Sequence, residues 1–177
     1  MPAARWIRID PCGGLDFRAA CAGLSPFVAA PVVLWSRADG PLSVDFLQAG
    51  EGDFLFALLV PRMLAPGRPW RWTAWGVAPA LAAYRHFQAP ASLDDAAIVL
   101  NGRRVARTCS VLFGDTVAVA SSFPAHLPDP RQHWMERDLE LVLRLRFEAQ
   151  HGWEFETAWP TAAEQAAIAD ARRAVPA

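Results

Sequence analysis

Asp94-Asp95-Ala96-Ala97-Ile98-Val99-Leu100-Asn101-Gly102-Arg103-Arg104-Val105-Ala106 contains the strongest turn signal in this 177-residue chain. Asn and Gly both tolerate positive φ, and the turn they form matches the natural twist of the strands it joins, so Asn101-Gly102 predicts a hairpin. Ile98-Val99-Leu100 enters that turn, and Arg103 onward leaves it. A second turn, Phe113-Gly114-Asp115, separates two further apolar strands, and residues 97–123 together read as a three-stranded meander.

Outward from this block, short strands are expected at Arg5 to Ile9, Pro31 to Trp35, Leu42 to Phe46 and Asp53 to Val60, divided by Gly and Pro. Phe54-Leu55-Phe56-Ala57-Leu58-Leu59-Val60 is apolar without alternation, as a strand covered on both faces would be. Trp70 to Phe87 has helical composition, but Gly76 and Pro79 weaken its first half and place the firm helix after Pro79. Beyond Pro128 and Pro130, a helix from about Gln132 to Gln150 presents Met135, Leu139, Val142 and Leu143 as one apolar face. Glu140 and Arg144 stand at i, i+4 on it, and Gly152 ends it. A last helix starts at a capping box, Thr161 with Glu164, after Pro160. The order predicts an α+β fold, a mixed and mainly antiparallel β-sheet packed with helices, with residues 1–177 forming one domain.

All seventeen basic residues are arginine. Without lysine the chain cannot form a Schiff base, carry a lysyl-linked cofactor or supply a P-loop lysine or a lysine general base. A net charge of -1 with scattered arginines predicts no nucleic acid and no membrane surface as partner. The start lacks an apolar signal core, and the apolar stretches are short and broken by Pro, so a cytoplasmic protein is expected. Cys12, Cys21 and Cys109 form no CxxC pair, and His86, His126, His133 and His151 lack metal-ligand spacing, which predicts reduced thiols and no metal site. Trp70-Arg71-Trp72-Thr73-Ala74-Trp75 is either core packing or, with its interleaved arginines, a partner surface.

The element order and the Asp94 to Ala106 block resemble the catalytic domain of the biotin and lipoate protein ligase superfamily, in particular the lipoate–protein ligases, over roughly Pro31 to Arg173. In that family an Arg-x-x-Gly-Gly-Gly-Ala-Val loop precedes a strand; Arg37-Ala38-Asp39-Gly40-Pro41-Leu42-Ser43-Val44 is similar in place. An apolar strand ending in Pro follows, as Asp53 to Pro61 does, and then a helix and an Asn-Asp-hydrophobic strand, a Gly turn and a basic pair. The resemblance implies that Arg37, Gly40, Asp95, Asn101, Gly102 and Arg104 face a ligand, which would be lipoate, octanoate or an adenine nucleotide. It also implies a lipoyl carrier protein or a related ligase subunit as partner.

Three departures qualify it. The second residue of the family's basic pair is the lysine that spans the acyl carboxylate and the nucleotide α-phosphate; here it is Arg104. Guanidinium is planar and committed to a fork, so this exchange is not conservative where a compact cation must follow developing charge. Pro41 removes an N–H and Leu42 adds bulk where the family has glycines, and Val44 is followed by Asp45-Phe46 instead of His-Asp. With only thirty residues ahead of Pro31, much of the family's first helix is expected to be absent or redrawn. With these departures the resemblance implies a degenerate member, one that binds a lipoyl- or acyl-type ligand or its carrier or partner protein, without efficient acid activation by ATP. Two alternatives stay open: an ATP-independent acyltransferase with Cys109 or Cys12 as nucleophile, the latter in a Pro11-Cys12-Gly13 triplet that resembles one octanoyltransferase group, and an interaction module without a small-molecule site. Asp94 and Asp95 are read either as turn residues or as an acid pair toward a nucleotide and Mg²⁺, with Asp94 favouring the turn.

Overall fold

The computed structural model describes residues 3–44 and 47–174. Asp45 and Phe46, which the expected strand from Leu42 includes, lie outside the described residues. Along the chain come β1 (Ala4–Arg8), α1 (Gly14–Leu24), β2 (Val32–Arg37), β3 (Leu42–Val44), β4 (Leu47–Ala49), β5 (Phe54–Pro61), α2 (Trp72–His86) and β6 (Ala91–Asp94). After them come β7 (Ala97–Leu100), β8 (Arg103–Arg107), β9 (Cys109–Phe113), β10 (Thr116–Phe123), α3 (Glu136–His151), β11 (Phe155–Ala158) and α4 (Ala162–Ala174). The architecture is the expected α+β.

The main sheet runs β11-β1-β2-β5-β10-β9. β1 is parallel to both β11 and β2, and the pairs from β2 to β9 are antiparallel. β5 lies inside the sheet, buried along nearly its whole length as its unbroken apolar run predicts. Its even positions, Phe54, Phe56, Leu58 and Val60, join one core with α2 and α3. Its odd positions, Leu55, Ala57 and Leu59, join a second core with α1 and Ile168 of α4. The two cores differ in grain. Trp6, Trp35, Phe56, Tyr84, Phe123 and Phe147 fill the first, whereas Ala20, Cys21 and Ala38 contribute to the second.

Close helix packing explains two elements that sequence pattern placed differently. A first helix of 11 residues, α1, is present where much of the family's first helix was expected to be absent or redrawn. Its Gly23 faces α4 so closely that a Cβ there would lie 2.6 Å from Ile168 Cα. α2 begins at Trp72, well before Pro79, because Gly76 lets the helix settle on β10, where a Cβ would lie 2.7 Å from Val119. Burial of Trp72, Val77, Ala80, Ala83 and Tyr84 outweighs the one helical hydrogen bond that Pro79 cannot donate.

The expected meander divides between two sheets. β6, β7 and β8 form a separate three-stranded sheet, and the chain leaves it at Thr108, whose N–H donates to the Ala96 carbonyl at 2.7 Å, before β9 joins the main sheet. Asn101 and Gly102 have φ of 52° and 74°, as a two-residue turn between Leu100 and Arg103 requires. α3 starts at Glu136, later than expected, and leaves Met135 exposed. Its Glu140 does not pair with Arg144: it turns inward to accept from Trp6 Nε1 at 2.7 Å and Arg8 Nε at 2.8 Å, while Arg144 donates to Glu148. The capping box at α4 forms as read, with Thr161 N donating to Glu164 Oε2 at 2.7 Å and Glu164 N to Thr161 Oγ1 at 3.3 Å.

Candidate functional site

A cleft of about 810 Å³ opens between the β3–β4 hairpin and the small β6–β8 sheet. Such a volume suits a small organic ligand. Pro41 and Leu42 form one wall, and Asp95, Arg104 and Arg107 stand on the other. Asp53 also lines the cleft, but its carboxylate is committed to the scaffold: Oδ2 accepts from Gly50 N at 2.7 Å and Oδ1 from Ala125 N at 2.8 Å. It therefore anchors the turn between β4 and β5.

Of the residues expected to face a ligand, Asp95 and Arg104 meet in this cleft and the others do not. Arg37 is not among the residues that line the cleft. It donates from Nε to the Gly52 carbonyl at 3.1 Å, lies 3.9 Å from Glu136 and covers the Phe54 ring at 5.2 Å. Gly40 precedes the wall residue Pro41 and has open space around it. Asn101 and Gly102 serve the turn, and Asn101 borders a shallower groove with Arg103 and the Pro128-Asp129-Pro130 loop. Asp94 closes β6 opposite Ala97 and Asp95 makes the turn with φ of 53°, and both also line the cleft.

The cysteines lie elsewhere. Burial pushes the Cys12 thiol up, and its Sγ sits 3.5 Å from Ser36 Oγ inside the second core. Burial pushes Cys21 beyond the range of any reactive thiol. It also raises Cys109, with Arg107 and Arg18 opposing the shift. None of the three lines the cleft. Among the described residues, no group of three or more His, Cys, Asp and Glu side chains is placed to hold a metal ion. The Trp70–Trp75 stretch divides as well: Trp72 is buried and donates to the Pro66 carbonyl, Trp75 packs edge-on to His151 and Trp153, and Trp70 stays in solvent beside Arg68.

Arg107 is the site residue that sequence reading overlooked. A signal existed in the spacing of apolar residues. Val105 and Ala106 are neighbours in the chain, yet both pack against the first core. Strand alternation forbids this unless a residue is inserted. The register shows the insertion: Ile98 pairs with Ala106 and Val99 with Arg104, leaving Val105 extra. This bulge turns Arg104 and Arg107 to the same exposed side.

The fold is similar to that of several solved structures. The bi-partite lipoate protein ligase of Thermoplasma acidophilum, described with its E2 lipoyl domain, is similar with a TM-score of 0.76 at 10% identity, over 97% of this chain and 92% of that one. A lipoate-protein ligase A bound with ATP is similar with a TM-score of 0.76 at 9% identity, over 97% of this chain and 95% of that one. The chain has the fold of lipoate protein ligases and biotin protein ligases. The biotin protein ligase of Aquifex aeolicus, in complex with biotin and ATP, shares it more distantly, with a TM-score of 0.57 at 14% identity over 86% of this chain and 71% of that one. No family model and no curated protein sequence matches the chain. No helix among the described residues is long and apolar enough to cross a membrane.

Proposed function

We propose that this protein is a ligase-fold binder of a lipoyl- or acyl-type ligand, or of the carrier or partner protein that presents one, without efficient ATP-dependent activation of the acid. The observation that carries this reading is Arg104. It lines the cleft, it occupies the position where the superfamily resemblance places the adenylating lysine, and the chain has no lysine to recruit in its stead. A guanidinium there can hold an anion through a bidentate fork. It cannot contract around two oxygens whose charge develops at different moments, and losing one such transition-state contact costs about a hundredfold to a thousandfold in rate.

The wall opposite supports the same reading. Pro41 offers no N–H to a phosphate, and Leu42, buried at the cleft's edge, fills space that glycines would leave for ligand backbone contacts. An acyl chain suits this wall better than a nucleotide does. A lipoyl carrier is the favoured partner, since one protein of the same fold is described with its lipoyl domain. Cytoplasmic location and a single-domain organisation belong to this reading too. The cysteine-based transfer reaction gains no support from the cleft, because no thiol lines it.

The test is exchange of labelled pyrophosphate into ATP by the purified protein with lipoate or octanoate. Exchange is expected to stay near background, and robust turnover would end the proposal. Changing Arg104 to Lys and finding measurable exchange would identify position 104 as the lesion.

A further inference from the structure

Between Asp53 and Asp94 the chain carries no Asp or Glu, yet Arg62, Arg68 and Arg71 crowd the connection from β5 to α2. All three are exposed, and none makes an ion pair or a side-chain hydrogen bond among the described residues. Met63 and Trp70, interspersed with them, are 88% and 72% exposed. The backbone beneath is fixed. Arg62 N–H donates to the Asp115 carbonyl at 2.8 Å, Ala65 N–H to the Arg62 carbonyl at 3.2 Å and Arg71 N–H to the Arg68 carbonyl at 3.0 Å. Leu64 and Ala65 pack on the first core, and the buried Trp72 donates its indole N–H to the Pro66 carbonyl at 2.7 Å. Leu64 and Trp72 thus tie the segment down while Met63 and Trp70 are held outward. The Arg68 guanidinium lies over the Trp70 ring at 5.1 Å, which presets the indole before any partner arrives.

A single exposed apolar side chain is ordinary. Two of them, set in a fixed frame among three cations with no answering carboxylate, match the make-up of protein interfaces, where Trp, Met and Arg are enriched and Trp and Arg carry much of the binding energy. We propose that residues 62–71 form a docking surface for a protein partner whose contact face carries carboxylates around an apolar recess. Trp70 and Met63 fill the recess, and Arg62, Arg68 and Arg71 meet the carboxylates at its rim. Charge selects this occupant. A nucleic acid or an anionic bilayer responds to the field of the whole chain, whose net charge is -1, whereas a protein face needs only a local match. The surface is separate from the cleft. Phe54 and Pro61 close opposite ends of β5, so about 23 Å of strand lies between it and Asp53 on the cleft. The proposal goes beyond the ligand reading and does not depend on it.

The experiment is a selection of random dodecapeptides on the immobilised full chain, run in parallel on W70A. Wild type should enrich peptides that set two or more carboxylates beside an aromatic or branched apolar residue, and W70A should not. The most enriched peptide is then titrated against variants whose fold is checked by far-UV circular dichroism; every altered side chain is exposed. W70A should weaken it at least about tenfold, as loss of an interface anchor does. R68A and R71A should each weaken it about three- to tenfold, and R68K, which keeps the charge and loses the planar fork, should fall between R68A and wild type. R104A, in the cleft, should leave it unchanged. Enrichment of neutral or basic peptides, no enrichment, or binding that W70A leaves unchanged overturns the proposal. Binding lost in R104A but kept in W70A would put the peptide in the cleft and overturns it too. So does cosedimentation with phosphatidylglycerol vesicles, or a dimer in sedimentation velocity, that W70A abolishes, since either gives the surface to a bilayer or to a second copy.

Discussion

Arg8 and Arg104 are the same residue type in two opposite situations. Arg8 leaves the end of β1 and closes on Glu140, which also holds the indole N–H of Trp6, so its charge is spent on joining α3 to the sheet. Arg5 does the same for α4 through Glu164, at 2.5 and 3.2 Å. Arg104 and Arg107 stand instead over a cleft with no partner of their own among the described residues. In a chain where every cation is a guanidinium, residue type cannot separate a structural charge from a functional one. The separation lies in whether the carboxylate that would answer each arginine is already built into the fold.

Breaking the structural side should cost most. Glu140→Ala strands the Trp6 N–H, in a side chain only 1% exposed, and frees Arg8, which is 54% exposed on its side chain and can rehydrate. A loss of about 2–3 kcal/mol is expected in urea unfolding, below that of a fully buried ion pair. Gly23→Ala drives a Cβ into the α4 backbone and should cost about 1–3 kcal/mol by the same measurement.

Next in size is a dependence on pH. Burial holds His151 below its ordinary value of 6.5, so the unfolded chain takes up the proton first and stability falls as the pH drops through and below 6.5. His151→Phe keeps the ring between Trp75 and Trp153 and should flatten that slope. Glu164 acts at more acid pH. Its burial opposes ionisation, but hydrogen bonds from Arg5 and the Thr161 N–H prevail and hold its carboxyl below the ordinary 4.5. Its contribution is complete above 4.5 and is lost as pH falls through the depressed value, so Glu164→Gln should shorten the acid limb of the stability profile.

The smallest effect sharpens the comparison from the other side. Arg104→Ala and Arg107→Ala should each change unfolding free energy by less than about 0.5 kcal/mol, as surface substitutions without partners do. A large destabilisation by either would place that residue with Arg8 and Arg5.

The elements legible in the sequence were those whose signals are local. Asn101-Gly102, the Thr161–Glu164 box and the unbroken run of β5 each encode their geometry within a few residues. The elements that escaped depend on a distant surface. Gly76 reads as a helix weakener until Val119 is seen against it, and the need for glycine at 23 shows only against Ile168. α1 did carry a readable face, Phe17, Ala20, Cys21 and Leu24, but its small residues and flanking glycines muted it. Glu140 sits at ideal spacing to Arg144, yet an indole and a guanidinium more than 130 positions away compete successfully for it. Of the block from Asp94 to Ala106, Asp95 and Arg104 reach the cleft, whereas Asn101 and Gly102 between them serve the turn. Arg37 lies outside the cleft because the strand end that carries it turns its side chain toward Phe54 and Glu136.

One consequence follows from β1 lying between β2 and β11. Its second neighbour belongs to a segment translated long after it, as the Arg5–Glu164 bridge across 159 positions shows. During synthesis β1 can pair along only one edge, and its other edge waits exposed until that late segment leaves the ribosome. Closing this seam is a long-range event that slows maturation, and it makes the nascent chain, not the finished protein, the species most exposed to misassembly.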